Sequence, residues 1–230
     1  MKKTTVTPAA LTERGRRTQR AIMDAALALI GEGRSFNSLS MREVSTLAGV
    51  VPTAFYRHYK GMNQLGLAMV DDCGNWLRPR LRHIRQTNQS SRDIIRDSFL
   101  LFRDYVEEHP RYFLIAAGER HGGSPVLREA IRLEIGRFVD EMAEDLEMLL
   151  PNLSRPTRRN VCDLTVNTML SAASEMLDWR KDDKRQRTKK TEAYVQQLRI
   201  IFFGADGWRD EAMKAAAESD SRAIRRRQRS

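Results

Sequence analysis

An all-α fold is the class that this sequence predicts, and three observations lead to it. The 230 residues include only 7 prolines and 13 glycines, and long stretches without either residue favour helices over short strands and turns. Several of these stretches repeat apolar residues at helical spacing. The composition, with 41% hydrophobic and 30% charged residues, is typical of a soluble folded chain. No apolar run reaches the roughly 18 residues of a membrane-spanning helix, so we expect no membrane segment.

The two ends of the chain are basic, whereas the middle is slightly acidic. Residues 1–70 carry 10 basic and 4 acidic side chains, residues 71–179 carry 15 and 18, and residues 180–230 carry 15 and 8. A basic segment gains affinity for a polyanion by releasing condensed counterions. The amino-terminal segment is therefore a candidate nucleic-acid-binding module, although a solvated cationic surface would have the same charge.

The first predicted helix has one apolar face, and two glycines end it. The residues that form this face, at amphipathic spacing, are Ile22, Ala25, Ala26, Leu29 and Ile30. Gly31 and Gly33 follow directly and stop the helix.

Two short helices joined by a glycine turn are predicted between Ser40 and Tyr59. Ser40 and Glu43 have the spacing of a capping box, in which each side chain accepts a hydrogen bond from the amide of the other residue. Gly49 suits a left-handed turn after the first helix, and Pro52 suits the first position of the second. This is the layout of a helix-turn-helix, whose second helix enters the major groove of DNA, although helical hairpins with a glycine turn also occur without DNA.

The second of these short helices combines hydrogen-bond donors with two aromatic rings. The clustered donors are Thr53, Tyr56, Arg57 and His58. Phe55 and Tyr59 are four residues apart and are expected to pack in the core of the small domain. Such a concentration of donors on a short element favours contact with DNA.

The stretch from Met41 to Tyr59, Met-Arg-Glu-Val-Ser-Thr-Leu-Ala-Gly-Val-Val-Pro-Thr-Ala-Phe-Tyr-Arg-His-Tyr, resembles the DNA-binding signature of the TetR family of one-component bacterial repressors. The resemblance covers residues 14–70 at motif level, and the rest of the chain is similar to the family in length and helical pattern. Within the family, residues 52–59 followed by 64–74 look most similar to the repressors of unsaturated fatty-acid synthesis and of fatty-acid desaturases. The Glu119-Arg120 pair, followed by a Gly-Gly-Ser turn, resembles that branch too.

The resemblance implies a set of DNA contacts on and before the third helix. The residues expected to contact DNA are Ser40, Arg42, Val51, Pro52, Thr53, Ala54, Tyr56, Arg57, His58 and Lys60. Within this set the resemblance assigns phosphates to Ser40 and Arg42 and bases to Thr53 and Ala54. Many members have a lysine where this chain has Met62, so the phosphate contact made there is expected to pass to the lysine two residues earlier.

Six further helices are expected after Asn63. Pro79 would kink or divide the first of them, and Pro151 would end the fourth, which Ser124-Pro125 opens. The other expected boundaries are Ser90 or Ser91 to His109 for the second, a short third through Phe113, Leu114 and Ile115, about Pro156 to Trp179 for the fifth, and about Thr188 to Phe203 for the sixth.

The fifth of these later helices is apolar on more than one face, which predicts a homodimer. A helix of a soluble chain that is apolar on two faces must be buried on both, and the simplest second partner is its own copy. The family resemblance likewise implies a dimer interface built from the last two long helices. Two recognition helices one turn of DNA apart would then bind a palindromic double-stranded operator.

An apolar cavity in the body is the expected site of a small ligand. The candidate lining residues are Met69, Trp76, Phe99, Phe102, Phe113, Arg120, Phe138, Met142, Met169, Ala173 and Met176. Methionines adapt to a flexible chain, although ordinary core packing uses the same residues. The resemblance to fatty-acid repressors implies a long-chain acyl-CoA or acyl-carrier thioester as effector, with no resident cofactor. Arg78, Arg82 or Arg120 would meet its phosphates.

No enzyme is expected, and neither are catalytic residues or a metal site. The segment Gly31–Phe36 lacks the third glycine of a dinucleotide loop, and His121–Ser124 lacks a Gly-x-Ser-x-Gly elbow. The four histidines show no metal-ligand spacing. Cys73 and Cys162 form neither a zinc motif nor a disulfide framework, which favours a reducing cytoplasm.

A TetR-family regulator of multidrug efflux is the alternative that the sequence leaves open. A pocket for aromatic or cationic drugs would use ring stacking and an acidic side chain, for which Asp97, Glu119 and Glu175 are candidates.

Three regions are expected along the chain. Residues 1–62 would form the DNA-binding domain and residues 63–205 the ligand-binding and dimerisation domain. Residues 206–230 would form a basic, disordered tail.

Overall fold

The computed structural model describes residues 13–88, 90–151, 153–179 and 183–206. In these ranges all regular secondary structure is helical, which confirms the all-α prediction. The elements are α1 (Glu13–Gly31), a 3₁₀ turn (Phe36–Ser38), α2 (Met41–Leu47), α3 (Pro52–His58), α4 (Met62–Thr87), α5 (Ser91–Glu108), α6 (Pro110–Glu119), α7 (Pro125–Asp145), α8 (Arg155–Met176) and α9 (Lys184–Asp206). The expected basic tail lies, from residue 207 onward, outside the described residues.

Side-chain caps and a proline determine where several helices begin. The Ser40 hydroxyl accepts a hydrogen bond from the Glu43 amide at 3.3 Å, and the Ser40 amide donates to the Glu43 carboxylate at 3.0 Å. The predicted capping box is therefore confirmed. Ser124 caps α7, as expected, by accepting from the Leu127 amide at 3.3 Å. Pro52 occupies the first turn of α3, where no amide donor is needed.

One expected helix boundary is wrong, and one of the two alternatives expected at Pro79, a division of the helix, does not occur. α4 is not divided at Pro79, because Leu77 and Leu81 anchor the turns on either side of it in the core, which compensates for one missing amide donor. α7 ends at Asp145 and does not continue to Pro151. The residues that follow Asp145 form hydrogen-bonded turns that bury two leucines, so packing ends the helix before the proline does.

The first three helices form a small unit that packs on the body through α1, α4 and α6. Phe55 and Tyr59 are 0% and 1% exposed, as expected for its core. At the junction Gly66 of α4 leaves room for two side chains: a Cβ there would lie 2.6 Å from Leu127 and 2.9 Å from Phe36. In the body α4, α7 and α8 pack side by side, while α9 packs on α8 and α5.

Candidate nucleic-acid interface and ligand cavity

α3 has one buried and one exposed side. Of the ten residues predicted to contact DNA, eight are exposed, while Ala54 and His58 are half-buried. The exposed ones include two large side chains, Val51 at 64% and Tyr56 at 57% exposure, which contribute little to the core. The predicted set is thus accessible to a partner, and its buried neighbour Phe55 holds the helix in place.

A left-handed glycine sets the angle between α2 and α3. Gly49 has φ 66°, a conformation that residues with a Cβ rarely adopt. Its amide donates to the Thr46 carbonyl at 3.1 Å, and the Val50 amide donates to the Ser45 carbonyl at 3.0 Å. These bonds end α2 after two turns, so that α3 starts in a new direction.

The start of α2 is fixed by a charged network around Glu43. Arg34 Nη1 lies 2.7 Å from a Glu43 carboxylate oxygen, and the Ser40 hydroxyl donates to the other oxygen at 2.7 Å. The hydrogen bond from Arg34, followed by those from Ser40, lowers the pKa of Glu43 to about 2. Both Ser40 donors are engaged with Glu43, so Ser40 positions α2 first, and a phosphate would have to compete for its donors.

Two of the residues predicted to contact DNA are cations without a carboxylate partner. Among the described residues, neither Arg42 nor Arg57 forms an ion pair, and both are exposed. By contrast, Arg17 of α1 pairs with Glu13 at 3.3 Å. The charge of α3 and of the first turn of α2 is therefore available to an anionic partner.

Besides a 3.4 Å contact between the Tyr112 hydroxyl of α6 and Met23 Sδ of α1, two polar contacts join the predicted DNA-binding unit, which comprises α1 to α3, to the body. Arg20 Nη1 of α1 lies 3.0 Å from Asp72 Oδ2 of α4, and the Tyr112 hydroxyl of α6 donates to the same oxygen. Burial, together with this hydrogen bond, raises the pKa of Tyr112. In the second contact Asn37 Nδ2 donates at 3.1 Å to Glu119, which is 3% exposed.

An apolar cavity of about 280 Å³ lies in the body between α4, α6, α7 and α8, with one residue from α5. Eight of the eleven predicted lining residues line it, namely Met69, Phe102, Phe113, Arg120, Phe138, Met142, Met169 and Ala173. We call this space the main cavity.

The other three predicted lining residues lie elsewhere. Trp76 stacks on Tyr105 with ring centroids 4.1 Å apart, and Phe99 stacks on Tyr194 at 5.8 Å. Met176 is buried in the core at the end of α8. Apolar character alone did not distinguish these core contacts from the cavity wall.

The main cavity has an acidic residue that the sequence did not single out. Glu134 of α7 is 6% exposed and lies 2.8 Å from both Arg78 Nε and Arg137 Nη1. It fits only because Gly74 of α4 has no side chain, since a Cβ there would lie 1.8 Å from Glu134 Oε1. Gly74, in the middle of a predicted helix, was the sequence feature that could have indicated a close approach of another side chain at this position.

A cationic surface groove adjoins the main cavity. Its arginines are Arg120, Arg128, Arg132 and Arg159, against the acidic residues Glu129 and Asp163. Arg120, His121, Ile135 and Asn167 line both spaces. Arg120 Nη2 donates to Asn167 Oδ1 at 2.6 Å, which holds the arginine at the border between the groove and the main cavity.

Two arginines of the groove form ion pairs, Arg132 with Glu129 and Arg159 with Asp140. The other charged residues considered for ligand binding lie outside the groove and also have protein partners. Arg78 pairs with Glu134 and Glu141, and Arg82 pairs with Asp145. Neither arginine lines the groove. The acidic candidates for a cationic drug also lie outside the main cavity: Asp97 accepts from Asn88, Glu119 accepts from Asn37, and Glu175 accepts from Lys190 and Tyr194.

No helix in the described ranges is long and apolar enough to cross a membrane. The described part of the chain also lacks any group of three His, Cys, Asp or Glu side chains that could hold a metal ion.

Comparisons with known proteins give one family model and several solved structures. Residues 22–69 match the model of the bacterial regulatory proteins of the tetR family. A chain from Syntrophomonas wolfei described as a TetR-family transcriptional regulator has a TM-score of 0.68 at 10% identity, covering 81% of this chain and 95% of its own length.

Two fatty-acid regulators have a similar fold. The fatty acid degradation regulator FadR from Bacillus halodurans has a TM-score of 0.64 at 12% identity, over 84% of this chain and 96% of its own. FadR from Bacillus subtilis, solved in complex with stearoyl-CoA, has a TM-score of 0.63 at 12% identity, over 79% and 96%. At such identities these structures show a common fold alone.

Proposed function

We propose that the chain is a TetR-family transcriptional regulator and not an enzyme, and that it represses genes of unsaturated fatty-acid synthesis or fatty-acid desaturation. It binds a palindromic operator as a homodimer, and a long-chain acyl-CoA or acyl-carrier thioester changes its affinity for DNA. The observation that carries this proposal is the apolar main cavity next to a cationic groove. An acyl thioester has the matching chemistry, with an apolar chain and an anionic head. FadR from Bacillus subtilis, which has this fold, was solved with stearoyl-CoA.

DNA is bound by the unit formed by residues 1–62. α3 enters the major groove with Thr53 and Ala54 toward the bases, and Arg42 and Lys60 meet phosphates. The exposure of this set and the unpaired cations described above support the assignment.

The dimer forms through α8 and α9. Large apolar side chains are exposed on both helices, with Leu164 at 58%, Ile200 at 64% and Phe203 at 49% exposure. A second copy of the chain would remove them from water. The free face of α8 is less apolar than the sequence suggested, because its other large apolar residues, such as Val166 and Met169, are buried within the protomer.

Ligand and DNA affect each other through Asp72. The Tyr112 ring lines the main cavity, and its hydroxyl shares Asp72 Oδ2 with Arg20 of the DNA-binding unit. A ligand that moves α6 therefore changes the position of α1. Such a ligand alters the affinity for DNA only if it binds more tightly to one of two arrangements of α6 and α1, of which one is competent to bind DNA and the other is not.

Regulation of multidrug efflux is the second candidate function, and one observation favours it. Glu134 is the acidic side chain in the described wall of the main cavity, where a cationic drug would need one. Two arginines already pair with this carboxylate, so the acyl thioester remains the better match.

The ligand is tested by titrating the purified protein with oleoyl-CoA in a calorimeter. Arg120→Ala is expected to weaken binding about tenfold, because one charge-assisted hydrogen bond to the head is lost. The control is Arg103→Ala, since Arg103 pairs with its neighbour Asp104 and lines neither the main cavity nor the groove. Mass spectrometry of the denatured protein identifies any ligand that co-purifies. A planar cation found there, together with no binding of oleoyl-CoA, would contradict the proposal in favour of drug sensing.

A further inference from the structure

A second, smaller cavity of about 120 Å³ lies beyond the main cavity. Residues of α4, α7 and α8 line it as they line the main cavity, together with three residues each from α5 and α9. Three side chains, Leu81, Met142 and Met169, line both spaces. We call the second space the terminal cavity and these three residues the collar.

The helices show that the two cavities are arranged end to end. Three helices run along both cavities. On each of them the collar residue lies one helical turn from a residue that lines the main cavity and one turn from a residue that lines the terminal cavity. The successive positions are Leu77, Leu81 and Arg85 on α4, Phe138 and Met142 on α7 followed by Leu146 directly after its end, and Ala173, Met169 and Thr165 on α8. A single elongated ligand that crossed the collar would therefore occupy both spaces.

The collar consists of side chains that can move without a change in the backbone. Leu81, Met142 and Met169 are 4%, 7% and 6% exposed, so they are packed closely in this structure. Two of them are methionines, which are unbranched and have three rotatable bonds. Rotation of these side chains to other staggered conformations would open a passage between the cavities.

The terminal cavity suits the methyl end of a chain and not its head. Its wall is mostly leucine, isoleucine and phenylalanine. Its one charged residue, Arg85, lies 2.8 Å from Asp145, and both side chains are almost fully buried, so this charge is already paired. Ser98 also lines it, and no described residue forms a hydrogen bond with the buried Ser98 Oγ. A substitution at Ser98 therefore changes the terminal cavity without breaking a bond.

The two volumes give a length scale for the ligand. A cavity of about 150 Å³ holds the six carbons of benzene. On that scale the main cavity holds about eleven chain carbons and the terminal cavity about five more. Resting on the acyl-thioester function proposed above, we infer that the collar sets the chain-length preference: chains longer than the main cavity cross it, and the methyl end of a chain of about sixteen carbons fills the terminal cavity.

The test measures the affinity of the full-length protein for saturated acyl-CoAs that differ by two carbons, from eight to eighteen. In the wild type the affinity is expected to rise roughly tenfold per two carbons as far as about sixteen. Ser98→Leu fills the terminal cavity and should stop this rise at about twelve carbons, leaving shorter chains unaffected. Ser98→Ala, which removes the hydroxyl without filling the space, is the matched control and should behave as the wild type.

Met169→Phe tests the collar itself and provides a second variant if Ser98→Leu does not fold. It should also end the rise at about twelve carbons. A wild-type affinity that stops rising at twelve carbons would show that the collar stays closed, which overturns this inference but leaves the acyl-thioester function intact. A rise to sixteen carbons that both variants retain would overturn it as well. Failure to bind any acyl-CoA would remove the proposed function and this inference together.

Discussion

Asp72 is a residue at which the main cavity and the predicted DNA-binding unit are connected. One of its carboxylate oxygens accepts from Tyr112, which lines the main cavity, and lies 3.0 Å from Arg20 of α1. A single atom thus has partners on both sides of the junction. A shift of Arg20 or of Tyr112 changes the electrostatic environment of the other residue. In this way binding at one site can affect binding at the other.

Tyr112→Phe is predicted to uncouple ligand from DNA. The ring stays in the cavity wall and Arg20 keeps its carboxylate, so binding of each partner alone should change little. The ratio of DNA affinities with and without oleoyl-CoA should fall at least about fivefold toward one, because the variant loses the hydrogen bond to Asp72 and the contact of the same hydroxyl with Met23 Sδ of α1.

Tyr194→Phe is the matched control for this variant. It also removes a hydroxyl that donates to a carboxylate, that of Glu175 at 2.6 Å, but Tyr194 lines neither cavity. In Tyr194→Phe the ratio of DNA affinities with and without oleoyl-CoA should be the same as in the wild type. If Tyr112→Phe retained the full ligand effect, the route through Asp72 would be wrong.

Among the helices, α3 is the one that we propose to contact DNA. Arg57→Ala should weaken operator binding by roughly ten- to a hundredfold and reduce the salt dependence by about one counterion per protomer if the side chain meets a phosphate. Fluorescence anisotropy at several salt concentrations measures both. Arg103→Ala, on the distant α5, should leave both values unchanged.

The same experiment has an outcome that would contradict the placement of α3. Unaltered DNA affinity in Arg57→Ala would exclude the arginine from the interface. Loss of the dimer in this variant would mean that α3 contributes to association of the subunits instead.

α8 and α9 carry the proposed dimer interface. Ile200→Glu places a charge where Ile200 is 64% exposed in one protomer, and in a dimer this carboxylate would be buried without a partner. The dissociation constant of the dimer should rise at least about a hundredfold. Light scattering after size-exclusion chromatography measures this.

Met148→Glu is the control for a new carboxylate on an exposed apolar position. Met148 is 89% exposed and lies in the turns after α7, outside α8 and α9. This variant should remain dimeric. A dimer that withstands Ile200→Glu would place the interface on another surface.

Local signals in the sequence were sufficient to predict most helix starts. The capping box of Ser40 and the cap of Ser124 depend only on neighbouring residues, and both form as expected. Pro151 was misleading because tertiary packing decided the outcome, since buried leucines end α7 before it. At Pro79 the core holds α4 together, so the helix is not divided there.

The ligand cavity was less predictable than the DNA-binding unit, because its wall is assembled from five helices. Phe102 and Phe99 are similar in sequence context and both buried, yet only Phe102 lines the main cavity. Glu134 was missed for a related reason. Its place in the wall depends on Gly74, sixty residues away in the chain, and no periodicity within α7 reports such a pairing.

In the whole molecule, the α-helical body contains the three sites to which we assign ligand binding, coupling to DNA and dimerisation. The main cavity, the junction at Asp72 and the exposed face of α8 and α9 all lie on helices that pack directly on one another. Occupation of the cavity can therefore change the separation of the two recognition helices in a dimer. The population shift that results requires that the ligand bind one arrangement more tightly than the other.

The most direct test measures how tightly the purified protein binds DNA from the region upstream of its own gene and of desaturase or fatty-acid synthesis genes. The measurement is made with and without saturated and unsaturated acyl-CoA. We predict tight, salt-dependent binding to a palindromic site, with an affinity that changes at least about fivefold on saturation with a long-chain acyl-CoA. Tight DNA binding that is the same with every acyl-CoA would contradict control by an acyl thioester and favour the regulation of drug efflux.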